Sequence, residues 1–111
     1  MTTPVEIHRL AIQEARRIER RYARAGAGVL GRFTAAFDDA VGRVGANPAM
    51  WPQGAHGTRS CRLRKFPYRL VYVEEPTRVL VLAVAHNRRR PGYWRRRLPP
   101  YPSRFHGPGL A

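Results

Sequence analysis

The sequence predicts a small α+β domain in which a helical hairpin packs on one face of a mostly antiparallel four-stranded sheet. Two apolar stripes at helical spacing occupy the first half of the chain, and three β-rich segments follow in the second half. A short strand precedes the helices, so the predicted order is β-α-α-β-β-β. With 111 residues and 43% hydrophobic content, the chain is long enough for one core and too short for two.

The N-terminal strand and the first helix are predicted from their apolar spacing. Val5 and Ile7 alternate with polar residues after Pro4, which indicates a strand with one buried face. From Arg9 to Ala25 the apolar residues recur every three or four positions and therefore share one helical face. These residues are Ala11, Ala15, Ile18, Tyr22 and Ala25.

A second helix is predicted after Gly26 and Gly28 interrupt the first stripe. Its apolar residues keep the same spacing until Asn47 and Pro48 end the pattern. They are Leu30, Phe33, Phe37, Val41 and Val44. Because the link between the two helices is short, we expect them to form an antiparallel hairpin.

Three strands are predicted after a loop from Ala49 to Thr58 that is rich in proline, glycine and small residues. The first runs from Ser60 to Phe66 and alternates apolar residues with arginines, and the second runs from Tyr68 to Val73. The third, Arg78 to His86, has an unbroken apolar centre, which is typical of a strand covered on both faces. We expect this strand to be central, with the helices packed over it.

The C-terminal part of the chain differs in composition. From Asn87 to Ala111 it carries seven arginines, five prolines and no acidic residue. A short helical turn is expected from Tyr93 to Leu98, followed by a poorly ordered tail. The predicted domain therefore spans residues 1–98, and the proline-rich tail spans residues 99–111.

The charge and the targeting signals restrict the class of protein. The formal net charge is +14 and the pI is about 11.6, which implies a polyanionic partner, either nucleic acid or an acidic protein. Cys61 is the only cysteine and no secretion signal or membrane span is visible, so a cytoplasmic location without membrane contact is expected. The four histidines show no ligand spacing, so neither a metal nor another cofactor is expected.

Three motifs in a fixed order carry a family resemblance. They are Phe66 to Tyr72 (FPYRLVY), Val79 to His86 (VLVLAVAH) and Arg88 to Trp94 (RRRPGYW). Together they resemble the C-terminal half of the RelE/ParE toxins of bacterial type II toxin-antitoxin systems, and the resemblance covers residues 4–98. It implies a toxin neutralised by a cognate antitoxin, with which it would form a hetero-oligomer. It also implies DNA gyrase, or the ribosome with its mRNA, as the target.

The RelE branch of the family cleaves mRNA on the ribosome. Cleavage by the RNA 2′-hydroxyl needs a proton acceptor and cations on the phosphate. Arg69 matches the strand arginine of this branch, Tyr93 matches its C-terminal tyrosine, and His86 adds a group that titrates near neutral pH. These three are the catalytic candidates if the protein is a ribonuclease. Ser60 and Asn87 stand where the ribosomal nucleases tend to be basic, so the set is incomplete.

The segment from His86 to Trp94 is more similar to the ParE, or plasmid-stabilisation, branch, which inhibits gyrase without cutting nucleic acid. We favour this branch, in which a basic patch would form a contact surface. The residues expected to bind the target or nucleic acid are Arg62, Arg64, Arg69, Arg88, Arg89, Arg90, Tyr93 and Trp94. A third interpretation is a nucleic-acid-binding module that is not toxic.

Each candidate also has a purely structural interpretation. Arg69 would be a solvated residue alternating with a buried strand face, and His86 would cap the end of its strand. Tyr93 and Trp94 would fold back onto the sheet as part of the core. The arginine runs would be a solvated tail. The position of each side chain distinguishes these interpretations.

Overall fold

The computed structural model describes residues 2–99, which form two helices packed on a four-stranded sheet. In chain order the elements are β1 (Val5–Ile7), α1 (Arg9–Ala25), α2 (Ala27–Ala46), β2 (Arg59–Arg62), β3 (Tyr68–Glu74) and β4 (Val79–His86). The α+β class and the predicted order are confirmed. The predicted tail, apart from Pro99, lies outside the described residues. Across residues 2–99, no helix is both long and apolar enough to cross a membrane.

The sheet has the strand order β1-β4-β3-β2. β1 runs parallel to β4, with Val5 opposite Val79, whereas the other two pairings are antiparallel. The sheet is therefore mostly antiparallel, as predicted. β4 lies between β1 and β3, and contacts with α1 cover one of its faces.

β4 is buried on both faces because two separate cores meet on it. The first core lies under the helices and includes Phe33, Tyr72 and Val81. The second core lies on the opposite face and includes Leu82 and Ala83. The ladder between β3 and β4 shifts register at Val71/Tyr72, which is why two successive β4 residues belong to the same core.

The helical hairpin turns on a single residue. Gly26 has a backbone φ of 132°, a value that residues other than glycine rarely adopt, and α2 begins at the next residue. The helices are held together by aromatic contact, with the ring centroids of Tyr22 and Phe33 5.4 Å apart. The link is therefore shorter than the Gly26 to Gly28 segment that the sequence indicated.

Two predicted segments differ from the structure by more than one residue at an end. β2 is Arg59–Arg62 rather than Ser60 to Phe66, because the chain turns at Lys65, which has φ 69°. The backbone N–H of Leu63 donates to the carbonyl of Tyr68 at 2.9 Å and closes this hairpin. Near the C-terminus, the predicted helical turn is one turn of 3₁₀ helix at Arg95–Arg97.

Candidate functional site

The predicted site residues surround the C-terminal end of β4, where the structure has two basic clefts. The first, here called the strand cleft, has a volume of about 640 Å³ and is lined by Arg43, Trp51, Ser60, Arg62, Arg69, Asn87, Arg88, Arg89 and Pro91. The second, the helix cleft, has a volume of about 590 Å³ and is lined by Glu14, Arg17, Ile18, Arg20, Arg21, Arg24, Tyr68, Val84, His86, Arg89 and Tyr93. Arg89 lines both clefts.

The strand cleft is built on a pair of arginines from adjacent strands. Arg62 of β2 lies directly opposite Arg69 of β3, so both side chains project from the same face of the sheet. Arg69 is held in place because its Nη1 donates to the carbonyl of His86 at 3.0 Å. Arg88 follows β4 and is exposed. Since the described lining includes no acidic residue, the cleft favours an anionic partner.

His86 points to the other side of the sheet. It pairs with Tyr68, whose ring belongs to the core under the helices, and the two ring centroids are 5.3 Å apart. Its Nδ1 accepts a hydrogen bond from the backbone N–H of Arg88 at 3.1 Å. The imidazole therefore lines the helix cleft and also caps the end of the strand.

Tyr93 also belongs to the helix cleft. Its hydroxyl donates to Oε2 of Glu14 at 2.9 Å, and the guanidinium of Arg89 stacks on its ring at 3.9 Å. Burial, together with the neighbouring Glu14 carboxylate, raises the pKa of Tyr93 to about 12. The phenol is consequently protonated at neutral pH, and its O–H already donates a hydrogen bond to the Glu14 carboxylate.

The three catalytic candidates do not converge on one point. Arg69 lines the strand cleft, whereas His86 and Tyr93 line the helix cleft. Because strand residues alternate between faces, Arg69 and its neighbour Tyr68 lie on opposite sides of the sheet. A phosphate bound to Arg69 in the strand cleft would be on the opposite face from the imidazole.

Three of the predicted contact residues lie outside both clefts. Trp94 is only 3% exposed and packs in the second core, so its role in the structure is that of a core residue. Arg64 lies beyond β2 and pairs with Asp39 at 3.4 Å. Arg90 is exposed next to the strand cleft without lining it. The candidates that share the strand cleft are Arg62, Arg69, Arg88 and Arg89.

Comparison with known proteins identifies the family. The family model described as "ParE toxin of type II toxin-antitoxin system, parDE" matches residues 5–91. The chain belongs to the ParE toxin family. The protein is therefore the toxin component of a type II toxin-antitoxin system, and an antitoxin is its partner. Its fold is similar to that of a chain from the "Chromosomal ParDE TA system from P. aeruginosa", with a TM-score of 0.67 and 15% identity over 77% of this chain and 96% of that chain. No curated protein matches the sequence significantly.

Sequence reasoning missed two residues that hold the site of this ParE toxin together. Glu14 is buried in α1, and its carboxylate accepts hydrogen bonds from the backbone N–H of Val84 at 3.0 Å and from Arg97 at 3.0 Å, besides the bond from Tyr93. Nη1 of Arg97 also donates to the carbonyl of Leu82 at 2.9 Å. These side chains satisfy backbone groups of β4 beyond its pairing with β1.

The sequence did contain a signal for Glu14. It lies three residues after Ala11 and four before Ile18, which places a carboxylate within the apolar stripe of α1. An acidic residue at such a position needs a partner when the helix is packed, because an unpaired buried charge is costly. Nothing comparable distinguishes Arg97 from the two arginines before it.

Proposed function

We propose that this ParE toxin inhibits DNA gyrase and that it contacts its target through the strand cleft. The supporting observation is the separation of the three catalytic candidates between two clefts. RNA cleavage needs a proton acceptor, a cation and a donor around one phosphate, whereas inhibition by contact needs only a complementary surface. The separation therefore favours inhibition over ribonuclease activity.

The chemistry of the strand cleft suits a contact with an acidic surface. It combines Arg62, Arg69 and Arg88 with the aromatic ring of Trp51. Arginine and tryptophan are the residue types that most often dominate the binding energy of protein interfaces. The guanidinium group also presents several donors in a planar fork, which matches carboxylate and phosphate groups.

The test is a pair of assays on the purified full-length chain. Supercoiling of a relaxed plasmid by gyrase is measured in parallel with protein synthesis in a cell-free translation reaction. We expect supercoiling to be inhibited and translation to continue. Arrested translation with cleaved mRNA and unimpaired supercoiling would overturn the proposal in favour of the RelE-like activity. Inhibition of neither process would favour the non-toxic interpretation.

A matched pair of variants tests the surface. Arg62→Gln combined with Arg88→Gln removes two charges from the strand cleft. We expect its inhibition of supercoiling to weaken about tenfold or more, as when a central interface arginine is lost. Arg9→Gln combined with Arg96→Gln removes the same charge from exposed positions that line neither cleft, and should inhibit like the unmodified chain. Equal weakening in both variants would count against the strand cleft.

A further inference from the structure

We infer that the helix cleft is a second binding site, which holds the phosphate backbone of a single-stranded nucleic acid. One face of α1 supplies most of its lining, through Arg17, Arg20, Arg21 and Arg24. Spacings of three and four residues align these guanidinium groups along about 10 Å of helix. The inference does not depend on gyrase inhibition, because binding in this cleft requires no gyrase.

The cationic groups of the helix cleft are available to a ligand. In the described part of the chain, no carboxylate forms an ion pair with Arg17, Arg20 or Arg24. Glu14 is the acidic residue in the described lining, and both of its oxygens already accept hydrogen bonds from Arg97. Arg21 donates to the hydroxyl of Tyr68 at 3.2 Å, which holds it at the wall of the cleft. The cleft is therefore strongly cationic, and four of its five arginines are on one helix.

The two clefts form one basic track. Arg89 lines both, and its stacking on Tyr93 fixes it between them. The track runs from the arginines of α1, around the end of β4, to Arg62 and Arg69 on the other face of the sheet. A nucleic-acid strand carries one phosphate per nucleotide and so matches an extended row of cations. Each guanidinium can bind a phosphate through two parallel hydrogen bonds.

The shape of the cleft indicates a single strand bound through its phosphates. A cleft of about 590 Å³ has the volume of a pocket for one small ligand, so it can enclose only a short stretch of one strand. The guanidinium of Arg89 stacks on the Tyr93 ring at 3.9 Å and that of Arg97 lies 5.2 Å from it, so a base would have to compete with these arginines for the ring. Contacts to phosphate carry no sequence information, and binding is therefore expected to be independent of base sequence.

The test measures the binding of a labelled oligothymidylate of about 12 nucleotides by fluorescence anisotropy over a series of salt concentrations, with the full-length chain. We expect the affinity to fall as salt rises, because bound phosphates release counterions. The slope of log affinity against log salt is negative. Replacing Arg17, Arg20 and Arg24 together with glutamine should make it shallower by about 2, since each phosphate contact contributes about 0.7. Glutamine is a good helix former, so α1 should be preserved.

The control replaces Arg9, Arg16 and Arg32 with glutamine. These exposed residues line neither cleft, and the variant loses the same net charge. Its slope should equal that of the unmodified chain.

Equal changes in the two variants would show that only net charge matters and would overturn the inference. So would tighter binding of a duplex, or of polyglutamate with the same dependence on the α1 arginines, which would assign the cleft to an acidic protein. The single variants Arg17→Gln and Arg24→Gln should each give about a third of the triple effect, so the result does not depend on one protein preparation.

Discussion

At the scale of single residues, the buried carboxylate of Glu14 links three parts of the fold. It is 7% exposed, and its carboxylate joins α1 to β4 and to the segment after β4 through Val84, Tyr93 and Arg97. Removing one member of a buried ion pair leaves the other charge without compensation, and this costs more than the pair itself contributes. Loss of the Glu14 charge should therefore affect stability strongly.

We expect Glu14→Gln to lower the free energy of unfolding by about 3 kcal/mol, because the Arg97 guanidinium would stay buried without its carboxylate. The measurement is equilibrium unfolding in urea. Glu19→Gln removes a carboxylate from the same helix, and the Glu19 side chain forms no hydrogen bond or ion pair in the described structure. Its unfolding free energy should change by at most about 0.5 kcal/mol. Similar losses in the two variants would indicate an effect of net charge instead.

The coupling between the two residues can be measured directly. If Arg97→Met is combined with Glu14→Gln, the double variant should lose less stability than the sum of the single variants, by about 2 kcal/mol. Strict additivity would mean that Arg97 and Glu14 contribute independently, contrary to the 3.0 Å contact between them.

At the scale of elements, the segment from Pro91 to Leu98 covers the part of β4 that β1 leaves unpaired. β1 pairs with β4 only from Val79 to Val81, so the last part of β4 has no strand on that side. The segment passes this edge, where Arg97 bonds to the carbonyl of Leu82, and it covers the second core with Trp94. An edge that would otherwise be open to pairing with other chains is thereby closed.

We expect Trp94→Ala to lower the free energy of unfolding by about 3 kcal/mol or more, because it leaves a cavity against the sheet. Trp94→Phe should cost much less. It keeps an aromatic ring and removes the indole Nε1, which is buried without a hydrogen-bond partner among residues 2–99. Denaturant unfolding measures both, with the exposed Arg95→Ala as the control that should have little effect. Equal costs for the alanine and phenylalanine variants would contradict this role of the ring.

Periodicity in the sequence was sufficient to predict the elements. The apolar stripes defined both helices, and the apolar run from Val79 to Ala85 correctly indicated a strand buried on both faces. The end of β2 was harder to predict, because Leu63 continues the apolar alternation into the turn at Lys65. A left-handed backbone at a lysine has no signal in composition.

The grouping of the site residues could not be predicted from the sequence alone. Arg69 was a candidate because it matches the strand arginine of the RelE branch, and His86 was added because an imidazole at the end of the same sheet could accept a proton. Their separation depends on the register that places His86 opposite Tyr68, and a shift of one residue would reverse the face. The Glu14–Arg97 pair likewise joins positions 83 residues apart, which no local pattern encodes.

At the scale of the whole molecule, charge dominates. A net charge of +14 creates a field that acts beyond any single contact, and it should attract an acidic antitoxin before the two proteins touch. We expect the association rate with the cognate antitoxin to fall about tenfold as salt is raised from low to physiological concentration, while the dissociation rate changes little. Stopped-flow mixing measures both rates. An association rate that is indifferent to ionic strength would contradict an electrostatic first encounter.

The parallel pairing of β1 with β4 also determines when the toxin acquires its structure during synthesis. Val5 cannot meet Val79 until the ribosome has translated most of the message, and the lining of the strand cleft extends to Pro91. Contacts between such distant positions form late, because the intervening chain must first be closed into a loop. The nascent chain therefore has no complete sheet and no complete cleft while it is being made. If the strand cleft contacts the target, as proposed above, the toxin can act only after translation has passed Pro91.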